Sequence, residues 1–235
     1  MSLAEDLRAA LLEGADPAVA AAQSAYHKGV LEHRGWKGPQ VEALFKQTVP
    51  ALDALSPSAR LDVGLSLLDS PVAEEQSLGG LVLSREKKRL PVDTVARIEP
   101  IFDRRTLGWA TCDLICGRVL RWRLPDPAER ARLDAWSAHP SPWRRRAACV
   151  AHVNEARKGL YGEEIDRAVS GALALDHRFS QLGAGWVLRE RWLAAPAEVE
   201  AFLSVQGPLM RREALRYAIE KMPPALQQRF LRPLS

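Results

Sequence analysis

The chain has 235 residues, enough for a substantial core, and its 47% hydrophobic and 26% charged residues are the balance of a globular protein. Lys plus Arg number 33 against 29 Asp plus Glu, a formal charge of +4, which permits an anionic partner without demanding one. Three cysteines exclude a disulfide framework and five scattered histidines exclude a zinc spacing; the opening M-S-L-A-E-D-L-R is neither a signal peptide nor a membrane span, so no membrane partner and a reducing, cytoplasmic compartment are expected.

Helix punctuation recurs along the chain. Asp16-Pro17, Gly38-Pro39, Ser56-Pro57, Ser70-Pro71, Asp126-Pro127, Ser141-Pro142 and Gly207-Pro208 each read as an N-cap followed by proline at the first helical position. Between them apolar residues keep a 3.6-residue period. The pattern predicts helices over 3–13, 17–31, 39–53, 57–68, 71–87, 92–102, 107–122, 127–137, 142–156, 162–174, 178–193, 196–204, 208–221 and 224–231. No stretch alternates like a strand. Short connections make successive helices antiparallel neighbours, and pairs recur about every 35–45 residues, in the range of two-helix solenoid repeats. The expected fold is all-α: one domain over 1–235, a curved, right-handed-type superhelical array of antiparallel helix pairs (HEAT-like repeats) with a concave basic face. The charge run Arg85-Glu86-Lys87-Lys88-Arg89 reads as a solvated last turn that complements the helix dipole.

Tyr26-His27-Lys28 is expected to close the second helix, and Trp36-Lys37-Gly38-Pro39 to open the third, so aromatic and basic residues interleave at a corner, as in nucleic-acid binders. Thr106–Leu124 is apolar almost all round and reads as a buried helix with Asp113 in its middle. Its neighbours one turn away, Trp109, Ala110, Cys116 and Gly117, include no cation, so a partner must come from elsewhere or the carboxylate has a function. Trp109, four residues earlier, shares its face, and an indole beside a carboxylate suits a ligand that carries or develops positive charge. Cys112 and Cys116 read as small core residues.

Ser141-Pro142-Trp143-Arg144-Arg145-Arg146 puts three arginines where a helix dipole prefers anions; a bound phosphate would resolve this, and so would ties to neighbouring helices. Gly207-Pro208-Leu209-Met210-Arg211-Arg212 repeats the arrangement, and two such helix starts favour a polyanion. Gly183 and Gly185 precede Trp186 in a helix, where glycine costs about 1 kcal/mol against alanine. They admit close helix packing or a ligand. Arg189 and Glu190 read as inter-helix pairing.

Together these segments resemble the HEAT-like repeat DNA glycosylases of the AlkD type. The resemblance rests on Tyr26-His27-Lys28 with Gly35-Trp36-Lys37-Gly38-Pro39, on Trp109-Ala-Thr-Cys-Asp113, and on Trp143-Arg-Arg-Arg146-Ala. It continues through Gly185-Trp186-Val-Leu-Arg189-Glu190 to Arg211-Arg212-Glu213-Ala-Leu215, in order, over roughly residues 20–220. Such enzymes remove N3- and N7-alkylated purines from duplex DNA, and the lesion can stay stacked while the sugar is approached. The resemblance implies Asp113 as the catalytic carboxylate with Trp109 and Trp186 flanking it. It also implies that Tyr26 and Arg146 contact DNA, and the basic segments add Lys28, Lys37, Arg144, Arg145, Arg211 and Arg212. Gly108 stands where the family often has an aromatic and Ala110 where a polar residue is common, departures that alter lesion fit.

The implied chemistry is coherent. An alkylated purine is cationic and a good leaving group, so no general acid is needed; C1′–N cleavage builds oxocarbenium character that a carboxylate stabilises, and no metal or cofactor enters. The expected partner is duplex DNA containing alkylated purines, with the protein acting as a monomer. Two other readings stay open at this point: a non-catalytic helical-repeat protein that binds damaged or branched DNA, and a protein-interaction scaffold.

Overall fold

The computed structural model describes residues 2–232, and among them all regular structure is helical, apart from one isolated parallel bridge between Glu32 and Val72. The all-α expectation holds. The helices group into two compact units, Met1–Arg123 and Leu124–Ser235.

The first unit holds α1 (Leu3–Glu13), α2 (Pro17–Tyr26), α3 (Gly38–Asp53), α4 (Pro57–Leu68), α5 (Ala73–Arg85), α6 (Thr94–Arg105), α7 (Trp109–Arg118) and a 3-10 turn at Leu120–Arg123. The starts follow cap chemistry. Ser2 and Glu5 form a capping box on α1, the Asp16 carboxylate accepts from the Ala18 and Val19 amides, and Ser56 accepts from Ala59. The core joins Leu7, Leu11, Leu52, Leu67, Leu78 and Val82, with Trp36 and Phe45 packed against it. The α4–α5 contact is close because Gly79 has no side chain: a Cβ there would lie 2.6 Å from the Gly64 carbonyl oxygen.

The second unit holds α8 (Pro127–Ala135), α9 (Pro142–Val150), α10 (Val153–Ala156), α11 (Gly162–Leu173), α12 (Arg178–Trp192), α13 (Pro196–Gln206), α14 (Arg212–Ala218) and α15 (Pro224–Leu231). Helix α12 is central, packing on α9, α11, α13 and α14, with Ala184, Val187 and Leu188 fully buried. Gly185 serves this packing. A Cβ there would sit 2.5 Å from the Ala214 carbonyl oxygen of α14, which decides between the two uses open to the glycine pair.

Several boundaries depart from the periodicity. Helix α2 ends at Tyr26 rather than running to 31: His27 is its C-cap, and Lys28 (φ 54°) and Gly29 (φ 72°) are left-handed. Helix α5 starts at Ala73, two residues beyond Pro71, because Ser70 caps the Val72 amide and the Ala73 amide goes to the Glu32 carbonyl. The 107–122 helix ends at Arg118 and tightens into the 3-10 turn. The 142–156 helix breaks at Ala151–His152. The 208–221 helix is replaced by a 3-10 turn at Gly207–Leu209 and a shorter α14, because Met210 is extended and the Arg211 amide donates to Gln181 Oε1 of α12 at 2.7 Å. The Arg85–Arg89 run is also not simply solvated. Glu86 is buried among the guanidiniums of Arg60, Arg85 and Arg89, and Lys87 Nζ lies 4.2 Å from the centroid of the Trp122 ring.

Candidate active site and basic residues

Helix α7 begins at Gly108, which is extended (φ −158°, ψ 172°) and offers no side-chain cap. Its core face is Thr111, Cys112, Ile115 and Cys116, all buried. The small cysteines fill this face, as their placement in the sequence indicates. Trp109 and Asp113 lie one turn apart at the edge of that face and are half-buried, so the carboxylate is less enclosed than an all-round apolar helix implies. Space lies beside it: a Cβ added at Gly117, one turn further along α7, would meet nothing within 4 Å.

The Trp109 ring is a gathering point within the first unit. Tyr26 meets it edge-on at 6.3 Å between centroids, and His27 lies at 5.8 Å. His27 in turn stacks on His33 at 5.2 Å and 16°. Thus Tyr26, expected at DNA, and Trp109, expected at the chemistry, are brought together, with Tyr26 71% exposed. The fold supplies two residues to which the sequence assigned no role. His27 hides within an aromatic–basic triplet; His33 belongs to no motif, and only the turn after Gly29 returns it to the α2 C-terminus. Buried Glu74 holds that return: its Oε1 accepts from the Arg34, Gly35 and Trp36 amides at 3.0, 2.9 and 3.2 Å. Burial lowers the His33 pKa; Glu74 raises it and His27 lowers it further. Lys28 and Lys37 are exposed, Lys37 at the N-cap of α3.

In the second unit the first-turn arginines of α9 are engaged within the protein. Arg144 lies over the Trp136 ring at 4.8 Å. Arg145 donates to the carbonyls of His139 (2.6 Å), Ala138 (3.4 Å) and Gly171. Arg146 is buried and donates to the Phe179 carbonyl at 2.8 Å, tying α9 to the start of α12. For Arg145 and Arg146 the structure thus supplies ties to other segments, one of the two ways the sequence left open. Arg211 pairs with Asp176 at 2.7 Å, and Arg212 donates to the Leu231 carbonyl at 2.6 Å; both remain exposed. Trp186 is half-buried on α12. Three residues on, Arg189 lies 4.5 Å from the Tyr217 ring centroid and bonds Glu190 and Glu220, so the inter-helix pairing expected for Arg189 and Glu190 is present. Burial pushes the Glu190 carboxyl up, but hydrogen bonds from Lys221, Arg157 and Arg189 together hold it below its ordinary range.

Among the described residues no group of three or more His, Cys, Asp and Glu is placed to hold a metal, and no helix is long and apolar enough to cross a membrane.

A family model described as DNA alkylation repair enzyme matches residues 7–222. The chain belongs to this DNA alkylation repair enzyme family. A solved structure described as a predicted DNA alkylation repair enzyme from Enterococcus faecalis is similar with a TM-score of 0.79. The two chains are 18% identical, and the match covers 89% of this chain and 97% of that one. That likeness establishes the helical fold. Comparison with curated proteins gave no match. Membership of the family makes this a protein of DNA alkylation repair, with DNA as the substrate its family implies.

Proposed function

We propose that this member of the family is a DNA N-glycosylase that excises cationic N3- and N7-alkylated purines from duplex DNA without flipping the base. The observation that supports this most is local to α7: a half-exposed carboxylate, Asp113, one helical turn from an indole on which Tyr26 and His27 converge, with open space at Gly117. An alkylated purine already carries the positive charge that makes it leave. As the C1′–N bond lengthens, charge passes to the sugar, and the Asp113 carboxylate stabilises it and orients the attacking water. Trp109 contributes a cation–π surface. No metal or cofactor is required.

The assignment of Trp186 to catalysis rests on the resemblance to the AlkD type, as does the assignment of Arg144, Arg145, Arg146, Arg211 and Arg212 to DNA. Tyr26, Lys28 and Lys37 have the additional support of exposure beside the Trp109 cluster. The protein is proposed to act as a monomer in the cytoplasm. The deciding experiment is release of 7-methylguanine from methylated duplex DNA by wild type and Asp113→Asn side by side. The variant is expected to lose at least about 10²–10³-fold in excision rate, the scale of losing an electrostatic transition-state partner, while keeping DNA affinity. Normal excision by Asp113→Asn would overturn the mechanism.

A further inference from the structure

A cavity of about 280 Å³ opens in the first unit against a neighbouring stripe of α7, lined there by Ala110, Thr111, Leu114 and Arg118 and not by Trp109 or Asp113. Its polar wall includes Gln23, His27, His33, Trp36, Glu74 and Ser77. Three of these side chains each carry a buried polar atom with no hydrogen-bond partner: Gln23 Oε1, His33 Nε2 and Glu74 Oε2. Gln23 and Glu74 are fixed by what their other ends do. Gln23 Nε2 donates to the Trp36 carbonyl at 2.9 Å, which leaves its oxygen as the orphan. Glu74, only 3% exposed, commits Oε1 to three amides and leaves Oε2 with nothing. His33 Nδ1 lies 3.9 Å from Glu74 Oε1, and Nε2 is left over.

Buried polar groups are normally satisfied, and the two orphaned acceptors on this wall, Gln23 Oε1 and Glu74 Oε2, call for a donor. A single water occupies about 30 Å³, far less than this cavity, so one water does not fill it. Of the two carboxylates on the wall, Glu42 lies 4.0 Å from the Arg118 guanidinium, and buried Glu74 keeps the free oxygen, which favours a ligand with N–H donors. The stacked His27–His33 imidazoles and the Trp36 indole favour a flat ring. We propose that this cavity binds a free aminopurine base, whose ring lies along the aromatic wall and whose N–H groups meet Glu74 Oε2 and Gln23 Oε1. The inference rests on the glycosylase reading for the source of that base, since excision of an alkylpurine releases one, and it adds a second site, next to the chemistry, that retains the product.

The test is calorimetric titration of the full chain, free of DNA, with 3-methyladenine, 7-methylguanine and, separately, benzamidinium. Saturable binding of a methylpurine is expected. Gln23→Leu should weaken it roughly tenfold by removing one buried acceptor, and Ser77→Phe, which fills the cavity from α5, should abolish it while methylpurines are still excised from methylated DNA; thermal melting verifies that both variants fold. Absence of saturable heat with either purine, binding of benzamidinium alone, or unchanged purine binding by Ser77→Phe would each overturn the assignment. Excision without base binding sinks this inference alone. Base binding without excision keeps the cavity and sinks the glycosylase reading.

Discussion

At the scale of single residues, the surroundings of a side chain separate the proposed functional residues from the structural ones. Trp109 does not stand alone: Tyr26 and His27 brace its ring, so Trp109→Ala should cost both excision and the order of the Tyr26 edge. Tyr26→Phe keeps the edge-on packing and should change excision little; a large loss would assign the hydroxyl a direct contact with DNA. Arg145 and Lys37 make the opposite contrast. Arg145 satisfies three carbonyls, two of them partly buried, so Arg145→Ala should destabilise the chain by about 1 kcal/mol in denaturant melts, the net scale of partly buried hydrogen bonds. Lys28→Ala and Lys37→Ala, at exposed sites, should leave stability unchanged and each lower the slope of log DNA affinity against log salt by roughly 1.

Among helices, small residues determine how closely elements approach. Gly185→Ala forces a methyl to within 2.5 Å of the Ala214 carbonyl oxygen and should cost about 1–3 kcal/mol, the usual range for overpacking, read as a lowered denaturation midpoint. The hub at Glu190 joins α12 to Arg157 and Lys221 through one buried carboxylate. Glu190→Gln should destabilise the second unit, and because Arg157 is half-exposed the loss should fall at or below the roughly 3 kcal/mol lower end known for broken buried pairs. Excision by the surviving folded fraction should be retained, since Glu190 touches no proposed reacting group.

The pH response belongs to the molecule as a whole. Burial lowers the pKa of His33, His152 and His177 from the ordinary 6.5, and for His177 the Arg211 and Arg146 charges add to it. A histidine whose folded pKa lies below its unfolded one binds fewer protons in the fold, so stability rises with pH between those two values and is lost as pH falls below about 6.5. Glu190 and Asp69 act in a lower window. In both, burial alone would raise the carboxyl; cation hydrogen bonds lower it, so their contribution is present above the ordinary carboxylate values of 4.5 and 3.8 and is lost as pH falls through the lowered ones. Melting temperature should therefore decline from pH 7.5 to 5 and again below 4. His152→Asn, which can keep the contact with the Ala148 carbonyl, should flatten the first decline; an unchanged slope would remove His152 as its source.

Sequence by itself determined the all-helical class, most helix starts and the family. Caps act within a turn, and a 3.6-residue period needs no tertiary partner; hence Asp16-Pro17, Ser56-Pro57 and Asp126-Pro127 fall where the helices α2, α4 and α8 begin. The spacing of Trp109 and Asp113 also survives folding, because four residues is one helical turn. Tertiary structure decided what local rules cannot see. The amide of Arg211 is drawn to Gln181 from thirty residues away, so the helix expected from Pro208 starts late. The arginines of α9 find carbonyls on other segments, and a guanidinium's partner cannot be read from its own helix. His33 reaches His27 only because Lys28 and Gly29 turn left-handed and Glu74, some forty residues on, holds the returning chain by three amides. Capping and periodicity are short-range and leave their mark in sequence order, whereas the satisfaction of buried polar groups is a sum over the whole packed unit.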